Sequence, residues 1–115
     1  MRKIWLAMAL VASPAWAGRN FDKASAAEDS WETCVVNNAK SFAGKAAPAD
    51  VADAALGQCT DEESAFRAAL REWSRPFGIG DPMPPPELDR QLDIERRRIR
   101  SKALAAALIA GPKVP

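Results

Sequence analysis

Cys34 and Cys59 are the only two cysteines in the chain, and a glycine- and proline-bounded turn lies midway between them. No other feature limits the fold as much. If the segments on either side are helices, that turn folds them into an antiparallel hairpin whose facing residues are placed symmetrically about it. The midpoint of the cysteine pair falls between Ala46 and Ala47, inside the breaker segment Gly44 to Pro48. At 1.5 Å per residue each cysteine lies roughly 15 Å from the turn along its own helix, so a bridge between them is geometrically sound. In the chain-entropy model, closing a loop of this length stabilises a fold by about 3.5 kcal/mol. A chain this short buries proportionally little surface, so that is a large share of its stability.

Both flanking segments have helical periodicity. Ser25-Ala-Ala-Glu28 has the capping-box form, in which serine and glutamate side chains satisfy orphan backbone donors, so a helix is expected to begin there. Trp31, Cys34, Val35, Asn38 and Phe42 follow at three-and-four spacing and share one face. Gly44 suits the left-handed stop of that helix and Pro48 the first turn of the next. Val51, Ala55, Cys59, Phe66, Leu70 and Trp73 then form a second apolar stripe, with Asp50 and Asp53 near its positive dipole end. Thr60-Asp-Glu-Glu63 is another capping-box match and allows a break near Cys59. Because the stripe keeps its phase there, one long or gently kinked helix is the expectation, ending at Arg75-Pro76.

Phe77 to Pro86 holds Gly78, Gly80 and four prolines, a composition that favours an extended connector. From Glu87 to Ala110 the helical pattern returns, with Leu88, Leu92 and Ile99 along one side, and Gly111-Pro112 closes it. No stretch alternates as a strand does. The expected class is all-α: an antiparallel helical hairpin over residues 18–76 stapled by one disulfide, a Pro/Gly-rich linker over 77–86, and a basic C-terminal helix and tail over 87–115. That last helix is expected to pack loosely on the hairpin or not at all.

The N-terminus sets the location. Arg2 and Lys3 precede an apolar run from Ile4 to Val11, Ser13 and Pro14 break it, and Ala15-Trp16-Ala17 is the small-x-small pattern read by a signal peptidase. Residues 1–17 are therefore expected to be a signal peptide cleaved between Ala17 and Gly18. A spanning helix needs roughly 20 apolar residues, and this run stops short of that. The expected location is periplasmic or secreted, where a cysteine pair oxidises to a disulfide. Loss of Arg2 and Lys3 leaves 14 basic against 15 acidic groups, so bulk charge selects no partner and nucleic acid is not expected.

Candidate chemistry is sparse. A redox pair usually has Cys-x-x-Cys spacing, and a zinc site would have to complete two cysteines with carboxylates, since the chain has no histidine. Cys34 and Cys59 are therefore read as structural, with no metal or cofactor. Arg96, Arg97, Arg98, Arg100 and Lys102 form a basic run that could contact an anionic surface, with Leu104 to Ala110 as an adjoining apolar patch. Consecutive helical residues point about 100° apart, and Asp93 and Glu95 are placed to pair with Arg96, Arg97 and Arg98, so a solvated, salt-laced helix is the plainer reading. Asp61, Glu62 and Glu63 face different ways on one helix and suit a helix start better than acid/base chemistry. Trp31 and Trp73 are expected in the core, and Asn38 is placed to hydrogen-bond across the hairpin.

The layout Trp31-x-x-Cys34, Ala52-x-Ala54-Ala55-Leu56-x-x-Cys59 and Phe66-x-x-Ala69-Leu70 resembles a loose group of small, uncharacterised, exported two-cysteine helical proteins of Gram-negative bacteria. The resemblance covers residues 25 to 73 and implies no activity. With no catalytic constellation, the expectation is a non-enzymatic module that contacts another envelope protein. The alternative is a peripheral binder of anionic membrane surfaces acting through the basic C-terminal helix.

Overall fold

The computed structural model describes residues 15–73 and 80–111, with side chains from Phe21 onward. Four helices make up the fold: α1 (Ala15–Phe42), α2 (Pro48–Gln58), α3 (Thr60–Trp73) and α4 (Pro85–Ala110). The signal segment through Pro14, the stop at Arg75-Pro76, the first part of the connector and the tail from Pro112 lie outside the described residues.

α1 is already helical well upstream of Ser25, so the capping box there lies inside the helix and does not start it. A capping box marks a boundary only where the preceding chain has left the helix. Here Ala24 is buried and Phe21 packs its ring against Trp73 at 6.1 Å, so tertiary contact favours winding the earlier residues too. The expected processing point between Ala17 and Gly18 falls within this helix. At the other end Gly44 adopts φ 82°, a left-handed conformation that a side chain disfavours, and Lys45 N–H closes the turn on Phe42 O at 3.0 Å. Pro48 occupies the first turn of α2, where its missing N–H is not needed.

Contrary to the expectation of one long helix, the second arm breaks at Cys59, which adopts φ −115° and ψ 35° as the C-cap of α2. Two forces favour the break. Asp61, Glu62 and Glu63 place three negative charges in the first turn of α3, where a new helix dipole is best compensated. The disulfide also pins Cys59 to Cys34 with the Cα atoms 6.0 Å apart. Since the interruption is confined to Cys59, the apolar stripe resumes on the same side, which is why periodicity alone hides it.

α4 differs most from the expectation of loose packing. It starts at Pro85, with Pro84 extended as N-cap, so Pro85 and Pro86 belong to its first turn and not to the connector. Leu88, Leu92, Ile99, Ala103, Ala106 and Ala107 on one face are buried in the same core as Trp31, Val35, Val51, Ala55 and Phe66. The result is a bundle of three rods, α1, the broken α2–α3 rod and α4, with α4 covering α1 and α2. Full burial of side chains such as Trp31, Ile99 and Val35 stabilises the fold by about 1.5–3 kcal/mol each, which a free helix would forgo.

Residue size changes along the bundle. Near the α1–α2 turn the buried positions are mostly small, Ala39, Ala52, Ala55, Ala103, Ala106 and Ala107, and the backbones approach closely enough that a Cβ on Gly111 would lie 3.8 Å from Gly44 N. Toward the opposite end the core is built from Trp31, Phe66, Leu70, Leu88 and Leu92, with the Trp31 and Phe66 rings 5.6 Å apart. There α3 and α4 hardly touch. Ion pairs link them instead, Arg67–Asp89 at 3.0 Å and Arg96–Glu63, and in the connector just before α4 Met83 N–H donates to Arg71 O at 3.2 Å.

Candidate functional site

The structure distributes the candidate residues over three places: a sulfur-linked joint, a basic seam and a groove. At the joint, Cys34 and Cys59 are bonded to each other, and Cys59 is fully buried. Asn38, one turn after Cys34, donates its amide N–H to Cys34 O at 2.8 Å and lies 3.5 Å from Cys59 Sγ, so it does reach across the hairpin. Glu62 brings a carboxylate close to both sulfurs, all three ligand atoms lying within 4.8 Å of one another. Each sulfur is already committed to the disulfide, so no thiolate remains there to bind a metal.

The basic run is a seam between helices. Arg98 is the centre: Nε meets Glu95 Oε1 at 2.7 Å on its own helix, while Nη1 reaches Glu32 at 2.9 Å and Nη2 reaches Glu28 at 2.7 Å on α1. A planar guanidinium fork suits this triple role, and a lysine would not. Lys102 adds a second bond to Glu32 at 2.7 Å, Arg100 crosses to Asp53 of α2 at 2.8 Å, and Arg96 is shared between Asp93 and Glu63. Among the described residues Arg97 has no charged partner, and it faces solvent. The sequence's local pairs Asp93–Arg96 and Glu95–Arg98 are made; the pairs that dock α4 onto α1, α2 and α3 join residues far apart in the chain.

These pairs move the carboxylates in opposite directions. Lys102 and then Arg98 hold Glu32 below its ordinary pKa of 4.5, and Arg100 does the same to exposed Asp53. Glu28 is pushed up, first by burial and then by its hydrogen bond with Glu95, outweighing the pull of Arg98. Glu95 goes down, first through its side-chain contact with Glu28 and then through Arg98, against the cost of burial. Glu28 is therefore the carboxyl of the pair that keeps its proton longer.

The groove opens where α3 and α4 part. Phe21, Ala24, Ser25 and Glu28 form one helical stripe of α1, Phe66, Leu70 and Trp73 one of α3, and Gln91 and Glu95 stand one turn apart on α4. Together they line a cavity of about 260 Å³. Phe66 and Leu70 supply a buried apolar floor, while Phe21 and Trp73 form the rim, 52% and 44% exposed with rings tilted by 51°. Trp73 thus departs from the expectation of a core residue. Trp31 meets it, fully buried, though its Nε1 has no hydrogen-bond partner among the described residues.

The sequence reads Glu28 as a capping group and Glu95 as the partner of Arg98, and assigns neither these two nor Phe21 and Gln91 to a site. The hairpin register does bring Phe21 level with the end of α3, next to Trp73, and that was the available signal. What it lacks is α4, whose position decides that this aromatic pair is left uncovered. No protein-family model matches the chain, and no curated protein or solved structure matches it either. Among the described residues no helix is long and apolar enough to cross a membrane.

Proposed function

We propose that the protein is an exported, non-enzymatic interaction module, periplasmic or secreted after cleavage between Ala17 and Gly18, which presents the groove between α1, α3 and α4 to another envelope protein. The supporting observation is the exposed Phe21–Trp73 pair above an apolar floor, in a framework that buries Trp31 and Phe66. Aromatic residues at the mouth of a small pocket are the usual anchors of protein recognition. The disulfide is consistent with an oxidising compartment. A non-enzymatic role is supported by the groove's chemistry: its two carboxyls are engaged by Arg98, and its serine has no histidine in the chain to act as base.

The second reading, a peripheral binder of anionic membrane surfaces, draws support from Leu108 and Ile109, which are exposed at the end of α4. Ion pairs engage Arg96, Arg98, Arg100 and Lys102, which leaves that surface less free positive charge than the run implies. A photo-crosslinking residue placed at position 73, 101 or 108 of the full chain in its native envelope separates the readings. A covalent product with a protein from position 73, and none from position 101 on the outer face of α4, is the expected result. Products with phospholipid from position 108, and nothing from position 73, would overturn the proposal in favour of the second reading.

A further inference from the structure

Resting on the groove as the docking surface, the geometry points to its occupant: we infer that the groove receives a lysine side chain of the partner, its stem lying along the Phe21–Trp73 pair and its ammonium at the Glu28–Glu95 pair. Three observations carry this. The first is charge. Glu28, Glu32 and Glu95 converge on Arg98 and Lys102, so with all three carboxyls ionised one negative charge is uncompensated, and among the described residues Lys102 pairs with Glu32 alone, which does not line the groove. The excess therefore sits on the two carboxyls that do line it. Burial first, and then the contact with Glu95, raise Glu28 in spite of Arg98, so a second cation at the pair would be welcome.

The second observation is the pairing of aromatic faces with carboxylates. Phe21 and Trp73 tilt toward each other at the rim, and an ammonium passing them is attracted by the ring quadrupoles before it meets the carboxylates. A carboxylate-bearing ligand would be repelled at the same place, and a neutral one would leave the excess charge unrelieved. The third is size. A cavity of about 260 Å³ lies below the range of roughly 300–1,000 Å³ typical of sites for whole small molecules, and fits one extended side chain. Ammonium is favoured over guanidinium because the planar fork of Arg98 already takes one edge of both carboxyls, and a compact three-donor head fits the remaining lone pairs. Gln91 gives its amide N–H to Glu87 at 3.3 Å and keeps its carbonyl oxygen as a further acceptor.

The test uses the full chain and three probes of matched length: n-pentylammonium, 1-pentanol and pentanoate. The readout is the indole N–H resonance of Trp73, assigned by its loss in Trp73→Phe. Pentylammonium is expected to shift it saturably and to bind about tenfold tighter than pentanol, the factor that about 1.4 kcal/mol of added cation attraction supplies; pentanoate should leave it unmoved. The double variant Glu28→Gln/Glu95→Gln should bring pentylammonium down to the level of pentanol. If that variant does not fold, Glu95→Gln alone should still weaken the amine and spare the alcohol. Equal binding of amine and alcohol, an amine affinity indifferent to these substitutions, or tighter binding of n-pentylguanidinium would each overturn the assignment. Crosslinking to a protein from position 73 that persists while the amine fails would sink this inference and leave the proposed function standing; failure of both removes the groove as a docking surface.

Discussion

Replacing Ile99 by alanine should unfold the protein far more easily than replacing Ile94, although the two substitutions are chemically identical and lie on one helix. Ile99 is fully buried in the core shared with α1 and α2, whereas Ile94 is 47% exposed. Removing three buried carbon groups loses about 2.4 kcal/mol of transfer free energy at about 0.8 kcal/mol each. The cavity left behind adds to that, and such substitutions cost about 2–5 kcal/mol in all. At position 94 the expected change is within about 0.5 kcal/mol, because an exposed side chain gives up little burial and alanine is the better helix former. Urea titration followed by far-UV circular dichroism gives both values, and the slope of the transition checks that the unfolded state is unchanged. In a domain of this size a 3 kcal/mol loss lowers Tm by roughly 12–24 °C, so a thermal melt reads the same contrast. Small, equal effects at the two positions would refute the assignment of α4 to the core and restore a detached helix.

Reduction of the Cys34–Cys59 bond should lower stability by about 3.5 kcal/mol for its loop length; paired urea melts with and without reductant measure this, and a loss under about 1 kcal/mol would count against a stapling role. Arg98→Met should destabilise at pH 7 by about 1–2 kcal/mol, a value discounted for the guanidinium's partial exposure, because Glu28, Glu32 and Glu95 are left facing one another. That defect should shrink on acidification, and a pH-independent defect would point to lost packing instead. Glu32 and Asp53 have depressed values, so their stabilisation is complete above their ordinary pKa values of 4.5 and 3.8 and is lost as pH falls through the lower folded values. Glu28 has the opposite sign: its contribution is present below 4.5 and is lost as pH rises through its raised folded value. Glu28→Gln should therefore gain stability relative to the parent between pH 4 and pH 7, and melts across that interval that run parallel would reject this account.

The hairpin was legible because its determinants are local: Gly44 and Pro48 punctuate the chain, and the cysteines sit symmetrically about them. Register follows from that symmetry, and with it the Phe21–Trp73 neighbourhood. The break at Cys59 was hidden because resuming in phase leaves no trace in periodicity; the charges of Asp61 to Glu63 were the better guide. The docking of α4 was hidden for a different reason. Its buried face between Ile99 and Ala107 is largely alanine, whose burial carries little hydropathy signal, and its arginines look like a solvated or anion-binding run until their distant partners Glu28, Glu32, Asp53 and Glu63 are known. A groove walled by three helices needs all three in place before it exists, so no window of sequence contains it.

Cys59 ends one helix and begins the next at a point tethered to α1, and this gives α3 the mechanical character of a hinged jaw. Its near end is clamped by sulfur, while its far end bears Trp73 and meets α4 through an ion pair and the connector through one backbone bond, with little interlocking of side chains. The mouth of the groove and the alanine-lined opposite end share no residue, so the contacts that set the mouth's width are separate from those that close the far end of the bundle.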